Sequence, residues 1–83
     1  MIVITETPAG IFIGELKKGL FKDTLLNPYK IYLEEEGASY NWLGYGLSAR
    51  VYKMDLKEPL YIVEATEEAT KDYFESLKKD QAK

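Results

Sequence analysis

Two short stretches of this 83-residue chain set basic and aromatic side chains two positions apart: Tyr29-Lys30-Ile31-Tyr32 and Arg50-Val51-Tyr52-Lys53. Side chains two apart share one face of a strand, so Lys30 stands with Tyr32 and Arg50 with Tyr52. A cation beside an aromatic ring is what single-stranded nucleic acid requires: charge for the phosphates and a surface on which a base can stack. The same pairing also describes an outward or interfacial strand face, where long basic stems lie along apolar surface and keep their heads in water. The charge total bears on this choice. Fourteen acidic residues against eleven basic ones leave a net charge of −3, which opposes a broad phosphate-binding face and argues against double-stranded DNA as a partner.

Catalytic constellations are scarce. Nucleophilic catalysis needs an activated Ser, Cys, Thr or Lys beside a base, and a chain with no His and no Cys cannot build the usual triads. Ser39, Ser48 and Ser76 lack a nucleophile-elbow context. Glu34-Glu35-Glu36 is the one run of carboxylates, but neighbours at a strand end point different ways and precede Gly37, the pattern of a solvated loop. The run lacks the spacing of a calcium loop, and zinc held by Cys or His is excluded. Gly44-Tyr45-Gly46 is neither a Walker loop nor a dinucleotide fingerprint; it reads as a strand bend. No catalytic residue, no metal site and no cofactor is assigned, and an enzyme is not expected.

The elements that would position these residues are mostly strands. Residues 1–5 form a β-branched run that ends at Thr7-Pro8-Ala9-Gly10, a turn. Residues 11–16 follow as a strand apolar on both faces, bent at Gly14, so the two runs make a hairpin. Residues 20–26 read as either a third strand or a loop with a strand start. Asn27-Pro28 marks a kink or bulge, because proline donates no ladder bond. The clearest alternation comes next, with Tyr29, Ile31 and Leu33 on one face and Lys30, Tyr32 and Glu34 on the other. Residues 35–39 read as an exposed loop, 40–45 as an aromatic stretch around Trp42, 50–56 as a strand, Lys57-Glu58-Pro59 as a turn and 60–65 as a last strand. From Glu67 the period changes to that of a helix over 67–79, with Ala69, Tyr73 and Leu77 on one stripe, Thr66 as N-cap, Glu67 and Glu68 at the start and Lys78 and Lys79 at the end.

A five-stranded sheet in so short a chain must close on itself or find cover. At this size a staple is usual, and the absence of Cys and His leaves self-association as the available one. Seven tyrosines suit half-buried and interfacial positions, though strand propensity favours them too. No apolar run approaches a membrane span, and the helix lacks a basic face, so no membrane partner is expected. The cysteine-free composition and the uncharged start, Met1-Ile2-Val3-Ile4, fit a cytoplasmic protein.

The order of motifs resembles that of Sm-like (LSm) proteins. Gly10-Ile11-Phe12-Ile13-Gly14-Glu15-Leu16, then Asp23-Thr24-Leu25-Leu26-Asn27, then Ile31-Tyr32-Leu33-Glu34-Glu35 are similar to the successive pieces of the first Sm signature. Ile13-Gly14-Glu15-Leu16, Leu26-Asn27-Pro28-Tyr29-Lys30-Ile31, Trp42 and Asp72-Tyr73 resemble small Sm-like proteins of tailed phages, notably those that infect cyanobacteria. Two departures stand out: the helix is C-terminal, and Lys57-Glu58-Pro59 replaces the Arg-Gly loop of the second signature.

The resemblance implies one Sm-like domain over residues 1–83, a small, strongly bent five-stranded barrel over about 1–65 followed by the helix. It also implies a homo-oligomeric ring held by edge-strand pairing, with Leu60, Tyr61, Ile62 and Val63 at the interface. RNA contacts would fall to Asp23 and Asn27, with Tyr29 and Lys30 added by the basic-aromatic pattern. Three readings of function follow: a phage-type structural or interaction module acting in the host cytoplasm, a single-stranded RNA-binding module, and an inhibitor of a host protein.

Overall fold

A computed structural model describes residues 1–34, 37–42 and 53–81, and the side chains of 1–32 and 53–81. Expectations that rest on Glu35 and Glu36, on Gly44-Tyr45-Gly46 and on Arg50-Val51-Tyr52 lie outside the described residues. The architecture is one antiparallel sheet and one C-terminal helix: β1 (Ile2–Thr7), β2 (Gly10–Lys17), β3 (Asp23–Glu34), β4 (Gly37–Trp42), β5 (Lys53–Leu56), β6 (Tyr61–Glu64) and α1 (Glu67–Gln81). The strands run in the order β4-β3-β2-β1-β6, with β5 also on β3. Because β4 and β5 lie along the same side of β3, the sheet is five positions wide, as the strand count from sequence requires.

Pairing explains why β4 and β5 are separate. In β4, Trp42 stands opposite Tyr29; in β5, Lys53 stands opposite Leu26. The β3 residues that lie between the two ladders are Asn27 and Pro28. On the other side of β3 the register with β2 shifts at the same place, since Ile13 faces Tyr29 but Glu15 faces Leu26. Gly14 thus opposes two residues, a β-bulge that bends the strand. Asn27 holds it at φ 47°, a left-handed conformation that Asn tolerates better than most residues. Alternation of the ladder turns the Pro28 nitrogen toward the β4/β5 side, where proline has no N–H to offer. Gly14 is required here: a Cβ on it would lie 2.8 Å from Leu25 Cγ and 2.9 Å from the Leu26 carbonyl oxygen.

Both faces of β1 and β2 are apolar, and each is covered differently. On one face Ile2, Ile13 and Tyr29 pack under Tyr73 of α1, with Ile4, Ile31, Ala65, Ala69 and Leu77 around them. On the other, Val3, Phe12, Leu25 and Leu56 form a second cluster flanked by Leu16, Met54 and Ile62. Leu56 comes from one side of the sheet and Ile62 from the opposite edge strand, so the sheet is rolled until its two sides share an interior. Thr5, fully buried there, donates its hydroxyl to the Tyr61 carbonyl at 2.7 Å. The sheet is bent and barrel-like but not closed: among the described residues no ladder joins β6 to β4 or β5.

Two boundaries differ from expectation. The stretch read as a loop over 35–39 is strand from Gly37 onward, because Gly37, Ala38 and Ser39 pair with Glu34, Leu33 and Tyr32. The ambiguous stretch 20–26 divides at Asp23, with 18–22 as loop and the rest as the start of β3. The helix is capped as its sequence requires, with the Ala69 N–H donating to Thr66 Oγ1 at 3.1 Å.

Candidate functional site

The four residues assigned to nucleic acid all lie on β3, but they do not form one surface. Asp23 opens the strand, half-buried, opposite Leu56. Lys30 is seven residues further on, on the order of 20 Å at strand rise. Tyr29 is 2% exposed; its ring meets Tyr73 edge-on at 5.7 Å, and its hydroxyl donates to Asp80 Oδ2 at 2.5 Å. A base cannot stack on that ring while α1 is in place. Asn27 belongs to the bulge, whose carbonyls α1 also serves: the Tyr73 hydroxyl lies 3.0 Å from the Asn27 oxygen and 3.2 Å from that of Leu26, and shares one proton between them. This role of Tyr73 was not legible in the helical stripe, which marks the ring as core but not what its hydroxyl meets.

Lys30 does stand beside Tyr32, as the spacing predicts. Its Nζ lies 5.4 Å from the ring centroid, a cation–π contact, and Tyr32 is exposed. The stem of Lys30 lies close over Gly10, where a Cβ would come within 2.8 Å of Cε and φ is 135°. The pair is a solvated aromatic-cation spot at one end of the sheet.

The four residues assigned to an interface do form a continuous feature, the edge strand β6 and its entry. Leu60 is 70% exposed, Val63 48% and Tyr61 39%, while Ile62 turns inward to the second cluster. Tyr61 and Val63 share a face with Glu6 and Ile4, their partners on β1. Desolvation raises the Tyr61 hydroxyl pKa above its ordinary value, and the Glu6 carboxylate beside it adds to the rise. The backbone of β6 is half used. The Ala65 N–H bonds to the Ile2 carbonyl opposite it; with strict alternation in an antiparallel ladder, Val63 also bonds inward and Ile62 and Glu64 present their N–H and C=O outward. By the same alternation, carried through β2 and β3, Lys53 and Asp55 of β5 present theirs on the opposite side of the sheet. Each side thus offers a four-residue strand with its outer backbone groups unpaired among the described residues.

Sequence reasoning passed over a third feature. Leu20 and Phe21, in the loop between β2 and β3, are 96% and 99% exposed. In sequence they are indistinguishable from the first apolar residues of a strand.

Comparison with known proteins adds nothing to this geometry. No family model, curated protein or solved structure matches the chain. No described helix is long and apolar enough to cross a membrane, and no described cluster of acidic side chains is arranged to hold a metal ion.

Proposed function

We propose that this protein is a non-enzymatic structural or interaction module of the small phage Sm-like type, which assembles into a homo-oligomeric ring. In this reading β6 of one copy pairs with the β5 side of the next. The observation that carries it is the pair of open edges on a rolled sheet. The two strands have equal length, their outward backbone groups are unpaired among the described residues, and β6 with its entry adds three exposed apolar side chains, Leu60, Tyr61 and Val63. Exposed edges of this kind are templates for pairing. Edges on opposite sides of one subunit make a head-to-tail contact, which generates a ring when the rotation closes. The motif order described above supports the Sm-like form of the assembly.

Light scattering and sedimentation across protein concentration test the reading, and a folded monomer at all concentrations overturns it. The informative substitution is Glu64→Pro. Its side chain is exposed and its N–H faces outward, so proline removes a donor to a neighbour without removing a bond inside the subunit. Dissociation with retained circular dichroism is the expected result.

The single-stranded RNA reading has one favouring observation, the exposed Lys30–Tyr32 pair. Fluorescence anisotropy with U-rich and A-rich oligomers at low salt tests it, and no binding at tens of micromolar protein ends it.

A further inference from the structure

We infer that the β2–β3 loop is a membrane-contacting finger, in which Leu20 and Phe21 enter the boundary between headgroups and acyl chains of an anionic bilayer while Lys17 and Lys18 engage its phosphates. Apolar residues scattered singly on a surface are normal. Two adjacent large ones, 96% and 99% exposed at the end of a hairpin, are in a different situation: no packing among the described residues accounts for them. Their flanks indicate the receptor. Residues 17–22 hold three of the eleven basic residues and none of the fourteen acidic ones, so the remaining residues, with eight basic against fourteen acidic, stand at −6. Lys22 is committed to Asp55 at 2.8 Å, which ties the base of the finger to β5; Lys17 and Lys18 are both exposed and make no ion pair among the described residues.

The layering of charge and apolar surface matches a bilayer interface, where a basic segment is held by anionic headgroups and an apolar one lies just beneath. A nucleic acid offers phosphates and flat bases, but the branched side chain of Leu20 has no flat face to stack. The acidic remainder is repelled by the same surface, so the finger alone approaches it and the orientation is fixed. The sequence arguments against a membrane partner concerned a spanning segment and a basic helix; a two-residue apolar tip uses neither. The inference does not depend on ring assembly, since one copy carries one complete finger and a ring presents one per copy.

The test is co-sedimentation of the full chain with vesicles of phosphatidylcholine alone and of phosphatidylcholine with phosphatidylserine, at protein concentrations on both sides of any assembly transition seen by light scattering. Binding to the anionic vesicles and not the neutral ones is expected. Leu20→Ser with Phe21→Ser is expected to lower the partition by at least about tenfold per side chain; Lys17→Gln with Lys18→Gln by about fivefold per charge. Both pairs are exposed, so circular dichroism and oligomeric state serve as unchanged controls. Lys78→Gln with Lys79→Gln removes the same charge at the far end of α1 and is expected to change nothing. Phe21→Trp is expected to shift its emission to the blue on anionic vesicles, read against the unsubstituted chain with its native Trp42. Three results overturn the inference: no binding to anionic vesicles at millimolar lipid, binding that survives loss of Leu20 and Phe21, and equal losses from the two lysine pairs. Oligonucleotide binding that depends on Leu20 and Phe21 assigns the finger to another partner and also overturns it.

Discussion

The two apolar layers on either side of β1 and β2 are built on different principles. The inner one, Val3, Phe12, Leu25 and Leu56, is hydrocarbon throughout, and among the described residues Thr5 alone introduces a buried hydroxyl, satisfied by the Tyr61 carbonyl. The outer one, under α1, is organised by two tyrosines whose hydroxyls reach a carboxylate and the carbonyls of the bulge. Burial of apolar area is non-directional, so the inner layer fixes that the sheet rolls but not where the helix sits. Hydrogen bonds are directional, and they set the helix over the bulge at Asn27 and Pro28.

The fold is most vulnerable from the inside. Leu25 is fully buried where β2, β3 and β5 meet, and it is also the side chain that would crowd any Cβ at Gly14. Leu25→Ala leaves a cavity with little freedom to collapse and is expected to cost about 2–5 kcal/mol, read from the urea midpoint at unchanged slope. Because the inner layer joins the two sides of the sheet, the same substitution is expected to weaken any assembly through β5 and β6. A loss confined to stability, with assembly intact, would separate sheet rolling from edge presentation.

Tyr73→Phe sharpens the contrast, since it keeps the ring and removes the direction. The Leu26 and Asn27 carbonyls lose the Tyr73 proton inside the helix–sheet layer, at an expected cost of about 1–3 kcal/mol. Hydrogen exchange is the more telling readout: protection of α1 is expected to fall while that of β1 and β2, held by the inner layer, stays. Uniform loss across the chain would mean that the two layers are one cooperative unit and do not differ energetically.

The two layers were unequally legible in the sequence. The β-branched run at 1–5 and the doubly apolar run at 11–16 announced a hairpin with a buried strand, and the change of period at Glu67 announced the helix. Asn27-Pro28 announced a kink or bulge, because proline donates no ladder bond. What could not be read was which atoms would meet across the fold. Tyr29 alternates with Lys30 and so qualified as a stacking ring, yet alternation says only that two faces exist, and its face is the one beneath α1. The exposed pair Leu20-Phe21 was hidden for the complementary reason: a short apolar run carries no mark of whether a partner strand lies beside it. For β6 the edge position was expected only from the motif resemblance, since its own residues look like any buried strand until the sheet order shows what lies beyond it.

The smallest expected effect belongs to a contact outside both layers, the Lys22–Asp55 pair that ties the loop after β2 to β5. Its hydrogen bond from Lys22 holds the Asp55 carboxyl below its ordinary pKa; the Lys22, Lys53 and Lys57 charges act in the same direction, and desolvation opposes them. A carboxylate with a lowered folded pKa stabilises the fold above its unfolded value, about 3.9, and that contribution fades as the pH falls through the folded value. The midpoint difference between the native chain and Asp55→Asn is therefore expected at neutral pH, to shrink in acid, and to shrink also in high salt, because both partners are exposed. A difference that grows on acidification would reverse the sign of the linkage. It would mean that Asp55 is held by something other than Lys22, and that the Lys22–Asp55 contact does not tether the loop to β5.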